Sequence, residues 1–260
     1  MKSSFYYSPL GGGGTGGFLL EIACFDIASA IKAEAAGADR IELCDNAAEG
    51  GTTPSYGTLK RIKEIIAIPV FPIIRPRGGD FLYNDEEYQT MLYDVQLFND
   101  LGFDGVVMGL LNNIGSIDIK RTEQLVKAAG NMQVTFHRAF DRCNNPFNAL
   151  EILIQCGCKR ILTSGQVPNA YEGRELIQEL IIQAENRITI MPGSGVRSNN
   201  IAELATITGA NELHSSARKM QASAMLYTNE SMQETLDTVT VDEEEISKMK
   251  MALNALHTKK

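Results

Sequence analysis

The chain has 260 residues, 44% of them apolar and 22% charged, an ordinary balance for a protein able to bury a sizeable core. Lys and Arg number 24 against 32 Asp and Glu, a formal charge of -8, which argues against nucleic acid or an anionic membrane as the main partner. No apolar run reaches the roughly 18 residues of a spanning helix, so no membrane is expected. The first residues lack the apolar core of a signal peptide. Five cysteines, an odd number scattered along a long chain, read as reduced thiols in a cytoplasmic protein, with the nucleus left open.

Residues 1–17 read as a flexible tail, because six glycines fall between positions 11 and 17. After Phe18, short apolar runs alternate with amphipathic stretches. The predicted strands are LLEIA (19–23), RIELC (40–44), VFPIIR (70–75), GVVMG (105–109), QVTFH (133–137), RILTS (160–164), ITIMP (188–192) and ELHS (212–215). The predicted helices between them cover 27–37, 56–67, 85–102, 118–130, 146–157, 171–186 and 198–209. Gly37, Gly102, Gly130, Gly157 and Gly209 fall where helices stop, Pro146 where one starts, and Ser198 where an N-cap is expected.

Eight strands alternating with helices imply parallel pairing through right-handed crossovers. At roughly 20 to 35 residues per unit this matches a (β/α)₈ TIM barrel in a single domain, spanning residues 18–260. The barrel units take up about 18–219, and a C-terminal extension, 220–260, ends in an extra helix over 242–257 with acidic residues at its start. An open doubly wound sheet fits less well, since no glycine-rich fingerprint follows the first strand.

Barrel enzymes carry their chemistry at the carboxyl ends of the strands. Strand alternation gives Ile41 and Leu43 to the helix layer, hence Glu42 and Cys44 to the barrel interior. The same parity turns Glu21, Ala23, Phe71, Ile73, Arg75, Thr135, His137, Glu212 and His214 inward. Glu21, Glu42, Arg75, His137 and His214 thus converge on one mouth. Buried charges are costly unless paired, so this set is either a self-neutralising structural network or a catalytic site. In the catalytic reading Glu21 or Glu42 is a general base, His137 or His214 an acid or base, and Arg75 an anion clamp.

The strands near the end of the barrel finish in small residues. Gly193, Ser194 and Gly195 precede a helix and leave backbone N–H groups for an anion, where this fold often holds phosphate. Arg197, Arg218 and Ser215 stand nearby. The same glycines would also serve a plain tight turn.

No Cys-x-x-Cys pair or His-Glu-x-x-His helix occurs, so structural zinc and metalloprotease chemistry are not expected. Cys156 and Cys158 read as packing, and Cys143 has no evident partner. Cys24 and Cys44 fall at the ends of neighbouring strands, where two thiols could take a soft ion such as Cu(I) in low-coordinate geometry, or could equally pack as small hydrophobes.

The segments EIACFDIASAIKAEAAGADRIELCDNAAEGGTTPS, IPVFPIIRPRGGDFLY, VTFHRAFD, RILTSG and MPGSGV closely resemble the copper homeostasis protein CutC family, from about Phe18 to Lys219. The resemblance implies a (β/α)₈ barrel, a cytoplasmic home, a homo-oligomer (dimer or tetramer) and a role in copper handling through Cu(I). It also implies that Cys24 and Cys44 match the cysteines linked to copper in some members. Two functions are therefore expected. One is Cu(I) binding through Cys24 and Cys44. The other is a barrel enzyme using Glu and His acid–base chemistry on a small phosphorylated or carboxylated molecule.

Overall fold

The computed structural model describes residues 17–257. The predicted glycine-rich tail, apart from Gly17, lies outside the described residues. The barrel runs β1 (Leu19–Cys24), α1 (Ile27–Ala35), β2 (Arg40–Leu43), α2 (Tyr56–Ile65), β3 (Val70–Pro72), α3 (Asp85–Asp100), β4 (Gly105–Met108), α4 (Ile119–Ala128) and β5 (Gln133–Phe136). It continues with α5 (Pro146–Cys156), β6 (Arg160–Thr163), α6 (Arg174–Ala184), β7 (Thr189–Pro192), α7 (Ile201–Thr208) and β8 (Glu212–Ser215). Every predicted strand is present, each within a few residues of its expected bounds.

The strands form two parallel ladders, β3-β2-β1-β8 and β4-β5-β6-β7. They close into one barrel. Ile73 bridges Val107 in parallel and the Ile74 amide donates to Val107 O at 2.7 Å, while β7 packs beside β8. The outward parity of each strand is apolar: Leu20, Ile22, Ile41, Leu43, Val106 and Leu213 are fully buried against Ala30, Ala33, Leu59, Ile62 and Leu204 of the helices. Each such Leu or Ile contributes roughly 1.5–3 kcal/mol by leaving water. The inward parity holds a small apolar patch of Cys44, Phe71, Ile73 and Val107 together with most of the buried charge.

Local signals explain where the helices begin and end. Asp26 accepts from Ser29 N at 2.6 Å to start α1, and Asn84 and Glu87 form a reciprocal capping box on α3. Pro146 occupies the first turn of α5 behind the Asn145 cap. The five glycines predicted as helix terminators all have positive φ. Ser198 corrects the expectation for α7. The N-cap position belongs to Asn200, and Ser198 donates from its amide and its hydroxyl to the Glu245 carboxylate, at 2.7 and 2.9 Å. A carboxylate from the last helix satisfies those donors better than a local turn could.

The extension also contains strands that its polar sequence hid. β9 (Arg218–Gln221) and β10 (Thr238–Val241) pair antiparallel and lead into α8 (Glu243–His257). Ile246, Met249 and Leu253 make the buried face of α8, which packs on α1 and α7 and pairs Lys250 with Asp39. No helix among the described residues is long and apolar enough to cross a membrane.

Candidate active site at the barrel mouth

The register of β1 sets the site. Glu21 lies level with Arg40 on β2 and with His214 on β8, so one buried carboxylate has a basic group on each side. Arg40 pairs with Glu21 and reaches Glu212 Oε2 at 2.7 Å. Arg160 holds the same Glu212, its Nη2 donating to Oε1 at 3.0 Å. The Phe71 ring lies between the two guanidiniums, 5.0 Å from Arg40 and 5.6 Å from Arg160. Two Arg and two Glu thus neutralise one another in the barrel floor. Neither arginine is among the expected interior residues, although strand alternation carries the signal: Arg40 shares the parity of Glu42, and Arg160 that of Leu162.

Above this floor His214 joins two carboxyls. Its Nδ1 lies 2.8 Å from Glu21 Oε1 and its Nε2 3.6 Å from Glu42 Oε2. Burial alone would raise the Glu21 carboxyl, but Arg40 and the hydrogen-bonded His214, helped by Arg160, hold it far below the ordinary carboxylate range. Burial pushes Glu42 up, opposed by His214 and Arg40 and aided by Glu21, to about 7. Burial would lower His214, yet its hydrogen bond to Glu21 and the nearby Glu42 carry it above its ordinary value. Of the two candidate bases, only Glu42 combines a neutral-range pKa with a place on the wall of the mouth.

That mouth is a cavity of about 310 Å³. Glu42, Cys44, Arg75, His137, Ser194, Gly195, Arg197, His214 and Ser215 line it, and Phe25, Ile73 and Phe81 give it apolar walls. The five residues predicted to converge do so, with Glu21 one layer below.

His137 and Arg75 differ in detail from their expected roles. Ala139 N donates to His137 Nδ1 at 3.1 Å, so the ring proton sits on Nε2, which has no partner among the described residues. Burial, with Arg75 second, lowers His137 to about 3, leaving it a neutral hydrogen-bond donor. Gly109 makes room, because a Cβ there would meet the imidazole. Arg75 donates to Glu49 O at 2.5 Å, Gly51 O at 3.0 Å and Gly79 O at 3.0 Å. It ties two mouth loops together over the Phe81 ring, and few of its N–H groups remain for a ligand.

The predicted anion loop is rearranged in two places. Gly193 N donates to Thr163 O at 2.9 Å, and the Ser215 hydroxyl to Val196 O at 2.7 Å. Both groups are spent on closing the barrel at β6, β7 and β8. Ser194, Gly195 and Arg197 do line the cavity, joined by Val196 and Ser216, which sequence reasoning passed over.

Cys24 and Cys44 are not brought together on one face. Cys24 belongs to the outward set with Leu20, Ile22 and Leu43, whereas Cys44 packs inside the barrel with Phe71 and Ile73. Both thiols are pushed well above their ordinary value, first by burial and then by nearby acidic groups: Asp26 and Glu42 for Cys24, and Glu42 followed by the Cys24 thiol itself for Cys44.

Glu21, Glu42 and His214 each offer a ligand atom within 4.8 Å of the others, a spacing that could hold a cation. Arg40 already supplies the positive charge that Glu21 would give a metal, so the same atoms suit a proton better.

A family model described as the CutC family matches residues 18–219. Among similar proteins, a family protein CutC of Chromobacterium violaceum is 53% identical over 209 residues, covering 80% of this chain and 85% of the relative. A family protein CutC of Salmonella agona is 50% identical over 219 residues, covering 84% and 88%. A solved structure of CutC from Streptococcus agalactiae, named for a proposed role in copper homeostasis, superposes with a TM-score of 0.74 at 35% identity, covering 76% of this chain and 98% of that one. Thermotoga maritima phosphoribosylanthranilate isomerase, at 11% identity and a TM-score of 0.56, covering 92% of this chain and 99% of that one, shares the fold alone.

Proposed function

The chain belongs to the CutC family, and from the geometry of its barrel mouth we propose that it is an enzyme of proton transfer acting on a small anionic molecule. The observation that carries this reading is the pair Glu42 and His214, 3.6 Å apart on the wall of a cavity. Glu42 titrates near neutrality, as a general base at working pH should. His214 is held from behind by Glu21, whose hydrogen bond favours the protonated ring and leaves Nε2 on the Glu42 side.

In the step that fits, the Glu42 carboxylate takes a proton from carbon next to a carbonyl. The C–H electron pair moves to the carbonyl oxygen, and His214 Nε2–H donates to that oxygen as it gains charge. Return of a proton to either carbon or oxygen completes the transfer.

The test needs no known substrate. The protein is incubated in D₂O with a panel of small carbonyl compounds, phosphorylated and carboxylated, and loss of C–H signals is followed by proton NMR. Wild type exchanges one class of compound, and Glu42→Gln loses at least about 10²-fold of that rate. Exchange by Glu42→Gln at the wild-type rate overturns the assignment.

Copper handling is the second reading, drawn from the family and from the two thiols on neighbouring strands, where Cys44 N donates to Cys24 O at 2.8 Å. Cu(I) bound as a dithiolate would need Cys24 to leave the helix layer and both thiols to lose their protons. Titration of Cu(I) against a competing chelator tests it, since equal affinity in wild type and in Cys24→Ser/Cys44→Ser removes the thiol site. A cytoplasmic location and a homo-oligomer, dimer or tetramer, accompany either reading. Light scattering on the full chain measures the assembly.

A further inference from the structure

The loop after β7 has its acceptors engaged and its donors unspent. Ser194 O accepts from Ala170 N at 2.9 Å, Gly195 O from Asn200 Nδ2 at 2.9 Å, and Val196 O from the Ser215 hydroxyl at 2.7 Å. The Ser194 hydroxyl is itself turned away, donating to Pro168 O at 2.8 Å. The amides of Ser194, Gly195 and Val196, and that of Ser216 after β8, have no acceptor among the described residues. All four residues line the cavity.

Val196 is only 2% exposed, so its amide is a buried donor without a partner, a costly arrangement unless a ligand completes it. Ser194 and Gly195 both have positive φ, 82° and 70°, the conformation that turns successive N–H groups toward a common concavity. Strain of that kind at Ser194, a residue with a side chain, is retained where the surroundings require it.

Charge agrees with the amides. Arg197 and Arg218 line the same side of the cavity, and neither forms an ion pair among the described residues. The carboxylates near them are committed elsewhere: Glu245 to Ser198 and Asp242 to Lys219. On the opposite wall His137 Nε2 is a further buried donor without a partner, so the cavity offers donors at both ends.

We propose that this cavity binds a phosphate monoester, with the phosphate on the amides of Ser194, Gly195, Val196 and Ser216 between Arg197 and Arg218. The acceptor end of the molecule then lies toward His137, and its reacting carbon beside Glu42. The phosphate half stands on the loop alone; the placement at Glu42 rests on the proton-transfer reading. Four amides and two guanidiniums exceed what the roughly four coplanar acceptor sites of a carboxylate can use. They match three tetrahedral oxygens carrying about -1.5 to -2 charge, and the loops after strands seven and eight are where barrels of this class hold phosphate.

The experiment titrates glycerol phosphate, inorganic phosphate and glycerate into the full-length protein, with affinity from calorimetry and amide shifts from NMR. Glycerol phosphate and inorganic phosphate are expected to move the amides of Ser194, Gly195, Val196 and Ser216, and glycerate to bind more weakly. Arg218→Ala, an exposed position that leaves the fold intact, is expected to weaken the monoester about tenfold, and Arg61→Ala, on the exposed face of α2 outside the cavity, to leave that affinity unchanged. Shifts confined to other amides, glycerate binding as tight as the monoester, or no loss in Arg218→Ala overturns the phosphate site. Monoester binding without carbon exchange of any compound would leave the phosphate site standing and remove the proton-transfer reading. Exchange of unphosphorylated compounds without monoester binding would do the reverse.

Discussion

Glu21 and Glu42 stand on neighbouring strands against the same imidazole, His214, and are driven in opposite directions. Glu21 is level with Arg40 and gives up its second oxygen to His214, so it stays ionised. Glu42 is two residues further toward the mouth, away from the floor of arginines, and faces only the Nε2 side of the ring. Environments that push two carboxyls apart in this way separate an anchoring role from a reacting one.

The separation predicts an unusual pH profile for stability. The unfolded Glu42 carboxyl titrates near 4.5 and the folded one near 7. Between those values the folded state holds a proton that the unfolded chain has released. Stability therefore falls as pH rises through that window and is level above it. His214, raised on folding, loses its contribution in the same direction as pH rises through its folded value. Urea denaturation of Glu42→Gln should show a gain over wild type that is larger at pH 8 than at pH 4, by on the order of 1–3 kcal/mol. A gain independent of pH contradicts the raised Glu42.

Glu21 carries the opposite sign. Its folded value is depressed, so its contribution is full above the unfolded carboxyl range and is lost as pH falls through the folded value. Glu21→Gln leaves Arg40, 3% exposed, facing only Glu212, and should cost roughly 3–5 kcal/mol at neutral pH. In the same variant the His214 imidazole should titrate lower than in wild type, which an NMR titration reads directly. An unchanged His214 would mean that Glu42, and not Glu21, sets its charge.

Strand parity made most of this site legible in the sequence, because a one-residue alternation in β1, β2 and β8 settles which side chains share the interior. The same rule separates Cys24 from Cys44, whose odd and even places in LLEIAC and RIELC put them on opposite faces. Being at the ends of neighbouring strands hid that difference. What stayed illegible depends on partners remote in sequence. Ser198 is claimed by Glu245 from α8, Gly193 by Thr163 from β6, and the role of His137 by a single amide of the following turn. The antiparallel pair β9 and β10 was missed because RKMQ and TVTV lie apart in a polar stretch with no turn residue joining them directly.

Gly105 tests how far the barrel floor depends on packing. A Cβ at this position would fall inside the Phe71 ring, which is wedged between Arg40 and Arg160. Gly105→Ala must displace the ring and with it both guanidiniums. The expected loss is roughly 1–3 kcal/mol by urea denaturation, larger than the ~0.4–1 kcal/mol that Gly→Ala gains through the unfolded chain. A neutral or stabilising result would show that Phe71 shifts without disturbing the charges beneath it.

The two cysteines offer the clearest separation of the copper and proton-transfer readings. Cys24 is fully buried in the dry layer between β1 and the helices, its thiol directed at Ile22 O at 3.8 Å. Serine there buries a hydroxyl with little to bond, so Cys24→Ser should lose roughly 1–3 kcal/mol of stability. It should leave carbon exchange at the mouth untouched. Cys44 lines the cavity beside Glu42, and its thiol holds the Glu42 carboxyl lower than burial alone would. Serine keeps a donor at that position, whereas Cys44→Ala removes it and should raise the Glu42 pKa, moving the pH dependence of exchange to higher pH while Cys24→Ser does not. If instead both substitutions abolish Cu(I) binding equally and neither moves the exchange profile, the thiols act as a pair across the wall and the copper reading takes precedence.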